Sequence, residues 1–388
     1  MKIVFISNFM NHHQLPFSNA MIAQGMDYYF IATEPISNER LVMGYRDMNN
    51  EYDFVICAYE NDDNYKKALN LCFNADVVIV GSSPKVYIKE RLKAGKLTFK
   101  YSERIYKIKP PIYQMPLRAI KYFLDYGRYK SFYMLCASAY SAADYAKTGT
   151  FLNKTYKWGY FPEVKKYDNI NDLINKKTAN SLLWAGRLID WKHPENAIEI
   201  ARRLKQDGYN FIFNMIGTGD LKEYLETLIA DCELQNYVRL LGSMSPEKVR
   251  DYMEKSQVYL FTSNRQEGWG AVLNEAMNSG CAVVASHEIG SVPFLIENGK
   301  NGLIYRDGDI DDLYKKVKYL LDNPCERYII GEKAYYTLES EWNAENAARR
   351  FADLAKSVID GNKMPDIFDK GVCSRAEIIS DRRIEDGK

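Results

Sequence analysis

The chain has 388 residues, 46% of them hydrophobic and 27% charged, with a formal net charge of +1. This is the composition of a globular protein long enough for two domains, and near-neutrality gives no global reason to bind nucleic acid. No stretch approaches the roughly eighteen apolar residues of a membrane span, and the seven scattered cysteines, with no CxxC pair, point to reduced thiols in the cytoplasm rather than a disulfide framework.

The opening residues, MKIVFIS, form too short an apolar run for a signal-peptide core and are expected to be a first β-strand. Further short apolar runs follow: 3–6, 28–32, 54–58, 77–80, 97–101 and 134–137 in the first half, and 182–185, 211–216, 238–241, 258–262, 281–285 and 303–305 in the second. Helical patterns separate them. Continuous apolar strands alternating with helices predict parallel sheets covered on both faces. The fold class is therefore α/β, with two doubly wound Rossmann-like domains facing across a cleft. The expected division is a first domain over 1–161, a polar linker over 162–181 carrying a short helix at 172–175, a second domain over 182–361, and a charged, frayed tail over 362–388.

Helix punctuation is sharpest in the second half. His193-Pro194 opens a helix with apolar Ala197, Ile198, Ala201 and Leu204 at helical spacing. Ser245-Pro246-Glu247 predicts an N-cap followed by proline in the first turn. Gly280 is placed to end the preceding helix. A last helix over 345–359 carries Ala348, Phe351, Leu354, Ala355 and Val358 on one face, and it is expected to pack back on the first domain.

Residues 104–130 hold seven basic side chains, one acid (Asp125) and six interleaved aromatics. One reading is a helix that buries its aromatics and exposes its lysines. The other is a basic, aromatic surface that lies on an anionic membrane or binds nucleic acid, and the near-neutral chain favours the membrane of the two.

The stretch 266–280, QEGWGAVLNEAMNSG, carries the most chemistry. It joins two apolar strands. Glu267 and Glu275 bracket the start of a short helix, with Gly268 and Gly270 between them, and the first N–H groups of a helix form a ready anion site. An eight-residue helical path puts the two carboxylates at most roughly 12 Å apart, which suits a ligand with hydroxyls at both ends and a diphosphate between. Arg187 and Lys192, in WAGRLIDWK, follow another strand and point to the same sheet edge, where they offer a planar fork and a mobile point charge for phosphate oxygens. Gly217 and Gly219 flank Thr218 after a third strand, where a base or ribose could approach the backbone, or where the chain simply turns. His12 and His13 are adjacent in sequence and are expected to diverge, so no metal site is expected.

The set GRLIDWK, GTGDLKEYLE, EGWGAVLNE, GSVP and NGLIY, in that order over 182–355, resembles the donor domain of glycosyltransferase family 4, retaining enzymes of GT-B fold. The resemblance implies that Arg187 and Lys192 hold a donor diphosphate, that Glu267 contacts the transferred sugar and that Glu275 meets the ribose hydroxyls. It implies that the backbone from Gly268 through Trp269 and Gly270 to Ala271 cradles sugar and phosphate. Trp269 stands where the family usually has Phe, and Phe294 where it often has Glu. In the first half the loop NFMNHHQ replaces the family's glycine pair and resembles loops of bacterial surface-polysaccharide glycosyltransferases, with His13 its candidate donor contact. Glu103 and Arg104 follow a strand where many members place a histidine, and are candidates on the acceptor side.

The expected activity is transfer of a sugar from a nucleotide diphosphate to a hydroxyl of a saccharide or polyprenyl-diphosphate-linked acceptor in cell-surface polysaccharide synthesis. It needs no cofactor and no metal, and would take place in the cytoplasm with peripheral contact at the inner face of the plasma membrane. Retention follows from the resemblance alone. The rival readings are a nucleotide-sugar epimerase and a non-catalytic nucleotide-sugar-binding scaffold. The turn after the first strand lacks GxGxxG, which argues against hydride transfer.

Overall fold

The computed structural model describes residues 1–37, 41 and 46–379. Among the described residues the chain divides into two compact units: Met1–Glu163 together with the stretch 342–379, and Val164–Glu341.

The first unit is built on a seven-stranded parallel sheet of β1 (Lys2–Ser7), β2 (Asp27–Ala32), β3 (Val55–Cys57), β4 (Val77–Val80), β5 (Thr98–Ser102), β6 (Phe132–Cys136) and β7 (Thr155–Lys157), in the spatial order β3-β2-β1-β4-β5-β6-β7. β4, at the centre of the sheet, is apolar along its whole length because helices cover both faces; all four of its residues, VVIV, are buried. The helix Ala344–Ile359 belongs to this unit. The Asn343 carboxamide oxygen caps it, accepting from the Asn346 N–H at 2.8 Å. Phe351 seats the buried stripe, its ring centroid 5.1 Å from that of Phe99 and 5.8 Å from that of Trp158.

The expected frayed tail is corrected over 362–379. Val372 and Cys373 are fully buried. The segment lies along β7: Cys373 N–H donates to Lys157 O at 2.8 Å, Lys157 N–H to Ser374 O at 2.8 Å and Ala376 N–H to Thr155 O at 3.0 Å. β7 is an edge strand whose outward backbone groups need partners, and the segment supplies them. The rest of the predicted tail, 380–388, lies outside the described residues.

The second unit carries a six-stranded parallel sheet: β8 (Ser181–Ala185), β9 (Ile212–Ile216), β10 (Val238–Leu240), β11 (Val258–Phe261), β12 (Ala282–Ser286) and β13 (Leu303–Tyr305), ordered β10-β9-β8-β11-β12-β13. Leu182, Trp184, Phe213, Met215 and Leu260 form its core with Ala197, Ile198, Ala201 and Leu204 of the helix Pro194–Gln206. The strand order reverses between β8 and β11, and ligands of such sheets bind in the crevice beyond the carboxyl ends of the strands at that reversal.

The expected linker is also corrected. From Val164 the chain is part of the second unit. Its helix runs Ile170–Asn175, and Ile170 and Ile174, one turn apart, are buried with Tyr335. Lys177 is buried and donates to Met253 O at 2.7 Å. A few well-spaced apolar side chains anchor a segment whose average composition is polar. Ser245 precedes the helix Pro246–Lys255 as expected, but its hydroxyl makes no capping bond.

Residues 104–130 match neither sequence reading in full. Tyr106 is buried, whereas Ile112 is 89% exposed, Leu117 72%, Ile120 59% and Leu124 51%. Leu117, Ile120 and Leu124 recur at helical spacing along the helix Met115–Tyr122 and the π-helical turn Phe123–Gly127 that continues it, and Ile112 lies in the 3-10 turn Ile112–Gln114 just before. No helix of the described residues is long and apolar enough to cross a membrane.

Candidate functional site

The loops after β8 and β11 flank the strand-order reversal of the second unit, and they bring Lys192 and Glu267 together. Lys192 Nζ lies 2.5 Å from Glu267 Oε2, both side chains being only about one-eighth exposed (12% and 13%). Ser263 Oγ donates to the same carboxylate oxygen at 3.1 Å. The two loops are also tied through their backbones. Thr262 Oγ1 donates to Lys192 O at 2.7 Å and Asn264 N–H to Trp191 O at 3.0 Å. Trp184 Nε1–H donates to Thr262 Oγ1 at 2.9 Å and anchors this tie in the core. An ion pair at this depth is held by its surroundings, and removing one partner leaves the other charge poorly solvated.

Arg187 is exposed on the same loop as Lys192. Its guanidinium carbon lies 5.9 Å from the Trp191 ring centroid, and Lys192 Nζ lies 4.7 Å from it. One indole thus faces both cations, an arrangement that limits their mobility. The sequence reading missed Trp191, Ser263 and Asn264. Their signal was only position, within four residues of predicted site residues.

Glu275 lies one turn into the helix Val272–Asn278 and is half-buried. Burial raises its pKa, opposed by the positive charge of Arg250. Arg250 itself donates to the Glu275 carbonyl at 3.3 Å and to Asn278 Oδ1 at 2.7 Å. Among the described residues no side chain hydrogen-bonds the Glu275 carboxylate. No side chain caps this helix at Ala271. Gly280 follows it with φ 66°, the left-handed stop expected from sequence.

Several expected site residues have structural roles. Trp269 is fully buried and donates from Nε1 to Asn274 Oδ1 at 3.0 Å, so its ring is core. Phe294 packs near it, with ring centroids 6.4 Å apart. Gly270 has φ 85°, and a Cβ there would lie 2.5 Å from the Phe261 ring. At Gly217 a Cβ would meet Gly186 O at 1.7 Å, and at Gly219 it would meet Leu188 O at 2.4 Å. Packing of the loop after β9 against the loop after β8 therefore accounts for both glycines.

In the first unit, Arg104 is buried against Asp144, with Nε 3.5 Å from Oδ2 and the guanidinium carbon 4.7 Å from the Tyr140 ring centroid. This places it in the interior of the fold rather than on an acceptor surface. Glu103 is accessible in part: it accepts from Tyr160 OH at 2.5 Å and pairs with Lys107 at 2.6 Å. His13 stacks on Tyr160 with centroids 5.6 Å apart, so His13 and Glu103 share a neighbour beyond the carboxyl ends of β1 and β5. The two adjacent histidines do not diverge: the His12 and His13 rings lie 3.8 Å apart. Among the described residues, no three His, Cys, Asp or Glu side chains group as metal ligands.

Residues 166–337 match the family model Glycosyl transferases group 1. The amylovoran biosynthesis glycosyltransferase AmsK of Erwinia amylovora is 33% identical over 178 residues, 45% of this chain and 44% of AmsK. The lipopolysaccharide 1,2-N-acetylglucosaminetransferase of Salmonella typhimurium is 25% identical over 296 residues, 73% of each chain. The chain spans about half the length of the first curated relatives that it matches. Among solved structures, Anabaena HepE in complex with UDP superposes with a TM-score of 0.69 at 14% identity, over 92% of this chain and all of HepE. Residues 166–337 thus match the group 1 glycosyltransferases in sequence, and the chain shares its two-domain Rossmann-like fold with structures of the GT-B kind.

Proposed function

We propose that this protein transfers a hexose-type sugar from a nucleotide diphosphate to a hydroxyl of a saccharide or polyprenyl-diphosphate-linked acceptor, with retention, as a family 4 enzyme of cell-surface polysaccharide synthesis. The observation that carries the reading is the Lys192–Glu267 pair, set beside Arg187 at the strand-order reversal of the second unit. The complex of HepE with UDP and the part of AmsK in amylovoran biosynthesis support it.

The difficult step is breaking the bond between the anomeric carbon and the diphosphate oxygen while the acceptor oxygen bonds to that carbon and its proton passes to the leaving diphosphate. Negative charge gathers on the leaving diphosphate. Lys192 and Arg187 are the cations that would stabilise it. As Lys192 turns to phosphate, Glu267 is left to accept hydrogen bonds from sugar hydroxyls. The partly desolvated Glu275 carboxylate is suited to ribose hydroxyls, which supply the donors that the described protein side chains do not. No divalent cation or cofactor enters the proposal.

Lys192→Ala is expected to weaken nucleoside diphosphate binding about tenfold, the effect of losing one charge-assisted phosphate contact. Titration calorimetry with UDP, or with whichever nucleoside diphosphate raises the melting temperature most, checks it. Equal affinity in the variant would remove Lys192 from the site. Product analysis with and without acceptor separates transfer from epimerisation and from binding alone.

A lipid-linked acceptor lies at a bilayer, and peripheral contact through 104–130 is part of the proposal. The exposed Ile112, Leu117, Ile120 and Leu124 give the insertion face, with the exposed Lys109 and Lys121 available to anionic headgroups. Sedimentation with phosphatidylglycerol vesicles is expected, reduced by salt and abolished by Leu117→Glu with Ile120→Glu. Equal sedimentation of the double variant would overturn this contact.

A further inference from the structure

His193 directly follows Lys192, and its backbone lies in the left-handed region at φ 47°. A Cβ makes that conformation unfavourable, and glycine or asparagine would hold it with less strain. The imidazole makes two bonds from this position. Nδ1 lies 2.8 Å from Glu195 Oε1, in the first turn of the helix Pro194–Gln206. Nε2 lies 3.2 Å from Asn264 Nδ2.

The orientation of the Asn264 amide is set independently, because its Oδ1 accepts from Gln266 N–H at 3.0 Å. The amide therefore presents N–H to the ring. The ring that complements both neighbours is neutral, with Nδ1–H donated to Glu195 and a bare Nε2 accepting from Asn264. A second proton would set Nε2–H against the Asn264 amide, donor against donor. Asn264 also holds the turn that carries Glu267: Glu267 N–H donates to Asn264 O at 3.0 Å, and Asn264 N–H to Trp191 O at 3.0 Å.

We infer that His193 is a positioning residue, whose neutral ring keeps the 264–267 turn, and with it Glu267, in register with Lys192, and whose protonation releases that hold. The inference deepens the sugar-transfer reading, but its test needs no donor.

The charges around the ring favour the proton. Glu195 is the largest influence and raises the His193 pKa; burial opposes it, and Asp307, beyond β13, and Asp190, in the preceding turn, add to it. Glu288, beyond β12, accepts from Arg265 N–H at 3.2 Å, and the nearby cation Lys192 is paired with Glu267. The release therefore falls above the pH at which an unperturbed histidine titrates. Stability runs the other way. The charged pair with Glu195 stabilises the fold fully below the unfolded histidine pKa and loses that contribution as pH rises through the raised native value.

The full-length chain labelled with ring-carbon-13 histidine and 5-fluorotryptophan separates these effects. The His193 and Trp191 signals are assigned by His193→Asn and Trp191→Phe. The Trp191 fluorine resonance is expected to move with pH at the His193 midpoint, and to lose that transition in His193→Asn, which tolerates the left-handed backbone. A Trp191 signal without that transition, or with the same transition in His193→Asn, overturns the inference. In transfer assays His193→Asn is expected to flatten the acid limb of kcat. Absence of any sugar transfer by the wild type would reject the functional reading and leave the NMR outcome standing.

Discussion

Glu267→Gln is expected to lower sugar-transfer turnover by about a hundredfold or more while the melting temperature stays close to that of the wild type. Glutamine is the informative replacement. Its amide oxygen can still accept from Ser263 Oγ and Lys192 Nζ, which lie 3.1 and 2.5 Å from the native carboxylate oxygen. The loop therefore keeps its bonds and loses only the charge. Alanine would instead leave the Lys192 ammonium unpaired at 12% exposure, mixing a folding defect into the kinetics. If Glu267 orients the sugar in the transition state, the loss appears in kcat and kcat/KM together. Wild-type turnover in Glu267→Gln would place the reacting sugar elsewhere.

Gly217→Ala is expected to destabilise the second unit by about 3–5 kcal/mol, a fall of about 10 °C in its melting temperature. The native φ of 139° already disfavours a side chain, and the new methyl would stand 1.7 Å from Gly186 O. Neither loop can yield without breaking bonds: Gly217 N–H donates to Gly242 O at 2.8 Å and Leu188 N–H to Thr218 O at 2.9 Å. Gly208→Ala is the control. It has φ 80° with nothing within 4 Å of the added Cβ, so it isolates the cost of backbone strain, about 1 kcal/mol. Equal melting temperatures for the two variants would mean that the loops part to admit a methyl group. The loop after β8 carries Arg187 and Lys192, so Gly217→Ala should also weaken nucleoside diphosphate binding.

The two sheets were legible in the sequence because parallel strands covered on both faces must be apolar throughout. Runs such as VVIV at Val77–Val80 and AVVAS at Ala282–Ser286 leave little else to form. β7 was missed because Thr155–Lys157 is three residues long and partly polar. Residues 362–379 were misjudged because composition averages over a segment, whereas a few buried residues such as Val372 and Cys373 seat it and the edge of β7 supplies backbone hydrogen bonds. The segment after Glu163 misled in the same way, with Ile170 and Ile174 as its anchors.

For the candidate site, the residues in order already specified which chemistry was available: two basic residues after one strand, two acids around a glycine loop after another, and a strand pattern that places such loops at one sheet edge. It could not assign partners, because a contact between residues 75 positions apart depends on which strands become neighbours. Tertiary structure made β8 and β11 adjacent, and so paired Lys192 with Glu267. It also withdrew candidates. Arg104 is buried against Asp144, the Trp269 ring is core, and packing against the neighbouring loop is enough to require glycine at 217 and 219. It added Trp191, His193 and Asn264, whose roles rest on distances across two loops, since hydrogen bonds and ion pairs act only over a few ångströms and the order of residues along a chain does not set those separations.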